Sequence, residues 1–159
     1  MSNPNDKRFL VDGMLGNIVK KLRLMGFDSE FAKNKSDNDV MKMMEEQNRI
    51  LITKDEELAK RAKKLGFEPI FMTGDDEYLH FREIKEKLKL KFSIRGETSR
   101  CTVCNGKLNS VEKDLIKNKI PGKVVEHEKN FWQCSVCKKI YWEGTHINRL
   151  QNFIGKINE

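Results

Sequence analysis

Four cysteines carry the most specific chemistry in this sequence. They form two Cys-x-x-Cys pairs, Cys101 with Cys104 and Cys134 with Cys137. Thiolates at this spacing are typical zinc ligands, because each short turn directs two sulfurs at one ion and two turns complete a tetrahedron. The long segment between the pairs requires an inserted helix or loop. Disulfide bonds are the alternative, but repeated turns of this kind in a reducing compartment favour a structural zinc site.

Carboxylates at predicted strand ends are the second candidate for chemistry. Asp12 follows the apolar run 9–11, and Asp55 follows the run 49–53. If these runs are parallel strands, both acids lie at the carboxyl edge of the sheet, where open α/β sheets bind their ligands. Converging carboxylates repel unless a cation neutralises them, so a Mg²⁺ or Mn²⁺ site for phosphoryl transfer is predicted. A phospho-acceptor site also places acids at strand ends and stays open at this point.

Two further acids are weaker candidates for the same site. Asp37 precedes a predicted helix, and Glu56 lies in the first turn of another. Helix capping is the alternative for the first, and the favourable interaction of acids with the helix dipole is the alternative for the second. No such rule requires an acid at both Asp12 and Asp55, which makes those two the stronger candidates.

The elements that position these acids follow from the pattern of the first 90 residues. Short apolar runs alternate with amphipathic stretches and predict strands at 9–11, 27–32, 49–53 and 69–72, each followed by a helix. Met14, Leu65 and Leu79 are among the helical residues that the pattern directs into the core. This alternation predicts an α/β fold with a parallel, helix-covered sheet. Residues 91–100 lack periodicity and predict a linker.

The net charge of +7 is concentrated in the second half of the chain. Residues 1–90 contain 18 basic and 17 acidic side chains, whereas residues 91–159 contain 13 and 7. This asymmetry suits a protein that holds a polyanion beside carboxylates. Lysines that only maintain solubility are the alternative.

Composition and the polar start of the sequence argue against a membrane-spanning protein and against a secreted one. Hydrophobic residues make up 38% of the chain, yet no apolar run has the roughly 20 residues that span a bilayer. A folded protein without a transmembrane segment is therefore predicted. The first eight residues are polar and contain no signal region, which predicts a cytoplasmic location.

Several segments together carry a pattern that is typical of one family. They are FLVDGMLG, LRLMGFD and ILITKDEELA in the first half, then SRC, CNG, the second cysteine pair and YWEGTH in the second half. This pattern resembles the PIN-like RNase family named after the C-terminal domain of mutator-seven-type exonucleases. The resemblance implies a PIN-like three-layer α/β/α nuclease domain over residues 1–92 and a four-cysteine zinc ribbon over residues 93–159.

The resemblance also implies roles for individual residues. Asp12 and Asp55 match the family's strand-end acids, Asp37 matches the acid before its second helix, and Arg23 matches the arginine of its first helix. Further acids are expected where Asn34 and Ser36 stand. The implied activity is metal-dependent endoribonuclease cleavage.

The expected mechanism is hydrolysis of an RNA phosphodiester by metal-activated water. Asp12 and Asp55 would hold Mg²⁺ or Mn²⁺, and Asp37 or Glu56 would complete the shell or orient the water. Arg23 and Lys54 are expected to contact the phosphate backbone.

The basic, aromatic surface around the second cysteine pair is expected to hold the RNA. Trp142, His146 and Arg149 are its candidate binding residues. The alternative is that the aromatic residues supply the ribbon's own core, and this alternative is favoured for Trp132 and Tyr141.

Other readings stay open. The first is a non-catalytic RNA-binding or ribosome-associated module. The second is a redox protein that uses its Cys-x-x-Cys motifs, and the third is a DNA nuclease on the same fold. A ribosomal or inhibitor partner and a homodimer are also left open by the sequence.

Overall fold

A four-stranded parallel sheet organises the first half of the chain. The computed structural model describes residues 6–159, so residues 1–5, which belong to the polar segment used to predict location, lie outside the described residues. The strands stand in the order β2-β1-β3-β4. They are β1 (Arg8–Val11), β2 (Asp28–Phe31), β3 (Ile50–Thr53) and β4 (Ile70–Phe71).

Seven helices accompany the two sheets within residues 6–159. They are α1 (Gly16–Leu24), α2 (Asp37–Gln47), α3 (Glu56–Lys64), α4 (Glu77–Leu88), α5 (Lys113–Ile116), α6 (Gly122–His127) and α7 (Thr145–Asn158).

Alternating side chains of the central strands build a core on each face of the parallel sheet. Phe9, Val11 and Ile52 lie in a core with α1, α4 and α7, and Leu10 and Leu51 lie in a second core with α2 and α3. All five side chains are fully buried. The sheet is therefore covered on both faces, which explains why its central strands are continuous apolar runs. The predicted α/β class with a parallel, helix-covered sheet is confirmed.

Three apolar residues predicted to face the core are exposed instead. Met14 is 71% exposed because α1 begins two residues later, at Gly16. Leu65 lies one position past the end of α3 and is 59% exposed. Leu79 is also 59% exposed, because Ile84 faces the core and five residues correspond to a rotation of about 140° around a helix.

The predicted linker, residues 91–100, has no helix or strand but is docked on the first core. Phe92 is buried and packs edge-on against Phe27 and Phe81, with ring centroids 6.1 and 5.8 Å apart. The Arg100 amide donates to the carbonyl of Arg23 at 2.7 Å. This segment therefore holds the second half of the chain against α1.

A three-stranded antiparallel sheet carries the cysteines. Its order is β5-β6-β7, with β5 (Leu108–Val111), β6 (Phe131–Cys134) and β7 (Ile140–Trp142). Helices α5 and α6 occupy the long segment between the cysteine pairs, as predicted. Trp132 and Tyr141 pack with Cys101, Leu108 and Cys134 in a small core, which confirms the structural role favoured for these two aromatics.

The last helix returns to the parallel sheet. Leu150, Ile154 and Ile157 of α7 lie in the core beside α1 and α4, and Phe153 packs edge-on against Phe81 at 5.7 Å. The domain ranges expected from the sequence place residues 145–158 in the C-terminal unit. In the structure, α7 packs against the parallel sheet. The three-stranded sheet therefore lies, in sequence, between two parts of the chain that share one core. Within residues 6–159, no helix is both long and apolar enough to cross a membrane.

Candidate active site and metal centre

A buried threonine connects the two acids predicted at the strand ends. Asp12 follows β1 and Asp55 follows β3, and these strands are neighbours in the sheet. The Thr53 hydroxyl donates to Asp12 Oδ2 at 2.8 Å and accepts from the Asp55 backbone amide at 2.9 Å. Thr53 is fully buried and Asp12 is half-buried. Sequence reasoning missed Thr53, although its position at the end of the clearest strand was visible.

The strand order places Asp12 and Asp55 at the topological switch point. The chain goes from β1 to β2 on one side of the sheet and then returns to β3 on the other side. The loops that follow β1 and β3 therefore diverge and leave a crevice between them. In open α/β sheets, ligands bind outside the carboxyl ends of the strands at this point.

Asp55 is also the N-cap of α3, a structural role that the sequence did not predict for it. Its Oδ1 accepts hydrogen bonds from the amides of Glu57 and Leu58, at 3.0 and 3.2 Å, and so caps α3. Its Oδ2 accepts no hydrogen bond from the residues that the structure describes. Capping thus fixes the carboxylate while leaving one oxygen for a ligand.

Asp37 and Glu56 do not form a cluster with Asp12 and Asp55. Asp37 is the exposed first residue of α2, whose cap is Ser36, and Glu56 pairs with Lys60 at 3.3 Å. Within residues 6–159, the four cysteines are the one group of three or more metal-ligating side chains that lie close enough to share an ion. The structure thus places Asp12 and Asp55 at adjacent strand ends without a third acid at ligand distance.

Lys54 lies at the same edge of the parallel sheet as Asp12 and Asp55, and it forms an ion pair with Asp75. Its Nζ lies 2.8 Å from Asp75 Oδ1, in the loop after β4. The hydrogen bond and the charge of Lys54 hold the pKa of Asp75 below its usual value. This cation neutralises an exposed carboxylate of the edge, and a phosphate that binds here would compete with Asp75 for it.

Arg23 lies at the junction of the two sheets. It is 5% exposed, and its guanidinium donates to the carbonyls of Ser29 and Thr102, at 2.9 and 2.8 Å. Burial lowers the pKa of Arg23, while the nearby Glu30 acts in the opposite direction. Its two backbone contacts link α1 to β2 and to the first cysteine turn.

A groove separates α1 from β7 and the start of α7. Its volume is about 1000 Å³, and we call it the α1 groove. Trp142 and His146, two of the predicted RNA-binding residues, line it together with Arg23. Arg149 is exposed farther along α7 and does not line it.

The four cysteine thiols converge on one point, as the sequence predicted. Their sulfur atoms all lie within 4.8 Å of one another. Cys101 Sγ lies 3.5 Å from Cys137 Sγ, and Cys104 Sγ lies 3.4 Å from Cys134 Sγ. A tetrahedron with Zn–S bonds of about 2.3 Å has sulfur separations of roughly 3.8 Å, so the donor set and its size fit zinc.

The two turns of the cysteine site have the same local conformation. Asn105 and Lys138 each follow the second cysteine of a pair and have φ of 69°. The amides of Val136 and Cys137 donate to Cys134 Sγ at 3.4 Å. At Gly106, a Cβ would lie 2.7 Å from Cys134 Sγ, so this close approach requires glycine.

The thiols differ in their ease of ionisation. Burial opposes ionisation of Cys101, but the hydroxyl of Tyr141 at 3.0 Å and two backbone amides outweigh it and lower its pKa to about 6. Burial raises the pKa of Cys104 to about 12. Four converging sulfurs therefore need a cation before all of them ionise.

Comparison with known protein families matches residues 7–154 to the Mut7-C RNAse domain. The chain belongs to this family. The match confirms the resemblance seen in the sequence segments, and it extends over both sheets and most of α7. Membership of the Mut7-C RNAse domain family indicates a ribonuclease-type function. A search of curated proteins finds no match to the chain.

The two sheets of this Mut7-C RNAse domain are joined by a polar cluster that sequence reasoning missed. Asn105 accepts from the Ser29 amide at 3.1 Å and donates to Asp28 Oδ1 at 2.8 Å. Arg49, which is 6% exposed, donates to the same oxygen at 2.8 Å. Burial opposes ionisation of Asp28, yet the bonds from Arg49 and Asn105 outweigh it and keep its pKa below the usual value.

Proposed function

We propose that this member of the Mut7-C RNAse domain family is a Mg²⁺- or Mn²⁺-dependent endoribonuclease that hydrolyses RNA phosphodiester bonds. The observation that carries the proposal is the placement of Asp12 and Asp55 at neighbouring strand ends, where Thr53 bridges them. This is the switch point of the parallel sheet.

The two carboxylates fit a hydrated divalent cation. Hard ions of this kind prefer oxygen ligands, and Mg²⁺ commonly uses one or two carboxylates together with waters and substrate phosphate. Asp12 and Asp55 each keep one oxygen without a hydrogen bond from the described residues. When bound, the metal would lower the pKa of a coordinated water and neutralise charge on the phosphate.

The other residues of the edge support this chemistry by position and charge. Thr53 orients Asp12 through its hydroxyl, and capping of α3 holds Asp55 in one conformation. Lys54 would exchange Asp75 for the scissile phosphate. Asp37 and Glu56, which are exposed on the first turns of their helices, stay candidates to complete the metal's ligand shell or to orient the water.

The cysteine site is proposed as a structural zinc centre. We assign residues 1–92 to a PIN-like nuclease domain and residues 93–159 to a zinc-ribbon unit whose last helix docks back on the first core. Trp142, His146 and Arg149 of this unit would hold the RNA. A reducing compartment such as the cytoplasm would keep the four thiols available for zinc.

The test is cleavage of a 5′-labelled, partly single-stranded RNA by zinc-loaded protein, with and without added Mg²⁺ or Mn²⁺. Asp12→Asn and Asp55→Asn are the test variants, and Asp114→Asn on the exposed start of α5 is the matched control. We expect cleavage that requires the added metal, is lost in both test variants and persists in the control.

A non-catalytic RNA-binding module is the second candidate function. The observation that favours it is that, within residues 6–159, no third acid joins Asp12 and Asp55 at ligand distance. Wild-type protein that binds the RNA but leaves it intact with either metal would replace the nuclease proposal by this one.

A further inference from the structure

The side chains that line the α1 groove carry a net positive charge. Five cationic side chains line it, and no carboxylate from residues 6–159 does. They are Lys20, Lys21, Arg23, Lys33 and Lys139. A lining of one sign in a concave surface raises the local potential and attracts a polyanion.

Three of these lysines are free to bind a ligand. Arg23 is held by two carbonyls, and Lys21 pairs with Glu77 at 2.8 Å. Lys20, Lys33 and Lys139 are exposed and form no ion pair with any residue from 6 to 159.

One end of the groove adjoins the candidate catalytic edge. Gly13, which directly follows Asp12, belongs to its lining. A Cβ at Gly13 would lie 3.1 Å from the Cα of Lys33, so the loops after β1 and β2 are in close contact. Lys33 is therefore held beside the loop that carries Asp12.

The groove also offers aromatic surface. Trp142 is half-buried, with its ring centroid 6.5 Å from that of Phe131. Gly144 lies beside the indole, and a Cβ at this position would lie 3.5 Å from Trp142 Nε1. Because glycine has no side chain, this part of the indole stays uncovered. Lys139 lies over the ring of Tyr141 at 5.3 Å, which places a cation beside the aromatic surface.

We propose that the α1 groove binds a single-stranded stretch of RNA next to the scissile bond. Phosphates would contact Lys20, Lys33 and Lys139, and an unpaired base would stack on Trp142. Cations and a partly accessible aromatic ring along one groove are the combination that binds single strands, because a duplex keeps its base faces stacked on each other. The position next to the scissile bond rests on the proposed nuclease function. The binding of single-stranded RNA in the groove does not depend on it.

The test is binding of a labelled single-stranded RNA and of the matching duplex, measured by fluorescence anisotropy without added Mg²⁺ or Mn²⁺. Zinc-loaded protein comprising residues 1–159 is compared with Lys20→Gln and Lys139→Gln. The controls are Lys42→Gln and Lys87→Gln, which remove lysines paired within α2 and α4. Each groove variant is expected to reduce the dependence of log affinity on log salt by about 0.7, and the controls are expected to match wild type.

A second series tests the aromatic contact. Trp142→Ala is expected to weaken single-strand binding roughly 5- to 150-fold, and Trp142→Phe is expected to retain most of it. Zinc content and thermal unfolding show whether each variant is folded. Duplex RNA that binds as tightly as the single strand, or groove variants that behave like the controls, would overturn the inference.

The same variants separate this inference from the proposed function. If they lose single-strand binding while wild type cleaves no RNA with either metal, the groove stands and the nuclease proposal fails. If metal-dependent cleavage requires Asp12 but binding is unchanged in every groove variant, the nuclease stands and RNA reaches it by another surface.

Discussion

The Thr53 hydroxyl donates a 2.8 Å hydrogen bond to Oδ2 of Asp12, across the neighbouring strands β3 and β1. The same hydroxyl accepts from the amide of Asp55, so one buried side chain sets the positions of both strand-end acids. An acid held in this way loses little conformational freedom when it binds a ligand.

Replacing Thr53 with valine should therefore reduce both stability and cleavage. The isosteric change removes the donor to Asp12 and leaves the amide of Asp55 without its partner, at a cost of about 1–3 kcal/mol in the free energy of unfolding. The turnover number should fall more than the affinity for RNA. Chemical denaturation and single-turnover cleavage measure the two effects.

Thr53→Ser is the matched control for that prediction, because it restores the hydroxyl. Recovery of activity in the serine variant distinguishes positioning through the hydrogen bond from general damage to β3. Equal activity of Thr53→Val and wild type would show that Asp12 needs no such support.

The cysteine site should bind one zinc ion per chain, and removing it should destabilise the junction of the sheets. Arg23 and Asn105 attach the first cysteine turn to β2, so loss of the metal should loosen this attachment. Cys104→Ser is expected to release zinc and lower the melting temperature, whereas Ser135→Ala should retain both. Metal analysis and thermal unfolding measure the outcome. Wild-type protein that contains no zinc and has rapidly reacting thiols would favour the redox alternative.

Gly106→Ala should impair the metal centre through a steric conflict. An added Cβ would lie 2.7 Å from Cys134 Sγ and 3.0 Å from Val136 Cγ2, so the second cysteine turn must shift. Overpacking of this kind typically costs about 1–3 kcal/mol. Gly122→Ala is the control, since nothing lies within 4 Å of its added Cβ. Competition with a chromogenic chelator compares the zinc affinities, and equal values for the two variants would contradict the prediction.

The stability contributed by Asp28 should depend on pH with a defined sign. Hydrogen bonds from Arg49 and Asn105 lower its folded-state pKa despite burial, so its ionised form is favoured by folding. The contribution is fully present above the unfolded-state pKa of about 3.9 and is lost as pH falls through the folded-state value.

Comparison of wild type with Asp28→Asn measures this contribution. The difference in their free energies of unfolding should be largest at neutral pH and should shrink below about pH 4, with zinc content matched at each pH. A difference that stays constant, or that grows as the pH falls, would contradict the assignment.

The features that the sequence determined are local ones. Apolar runs predicted the two central strands, β1 and β3, within one residue, because a strand buried on both faces requires apolar side chains at nearly every position. The edge strand β2 contains three polar residues and carried a weaker signal. The Cys-x-x-Cys spacing predicted the convergence of the four thiols, because each pair occupies one turn whose conformation depends on neighbouring residues. Asp12 and Asp55 were identified for the same reason, since each lies within two residues of the end of a strand.

The features that only the tertiary structure decided depend on residues far apart in the chain. Asn105 contacts Ser29 across 76 residues, and α7 packs in the core beside α1. The same long-range packing buries Arg23 and aligns the free lysines along the α1 groove. Sequence periodicity records which face of an element is apolar, but not which distant element covers it. The partner is selected by the shape and polarity of surfaces that exist only after the chain has folded.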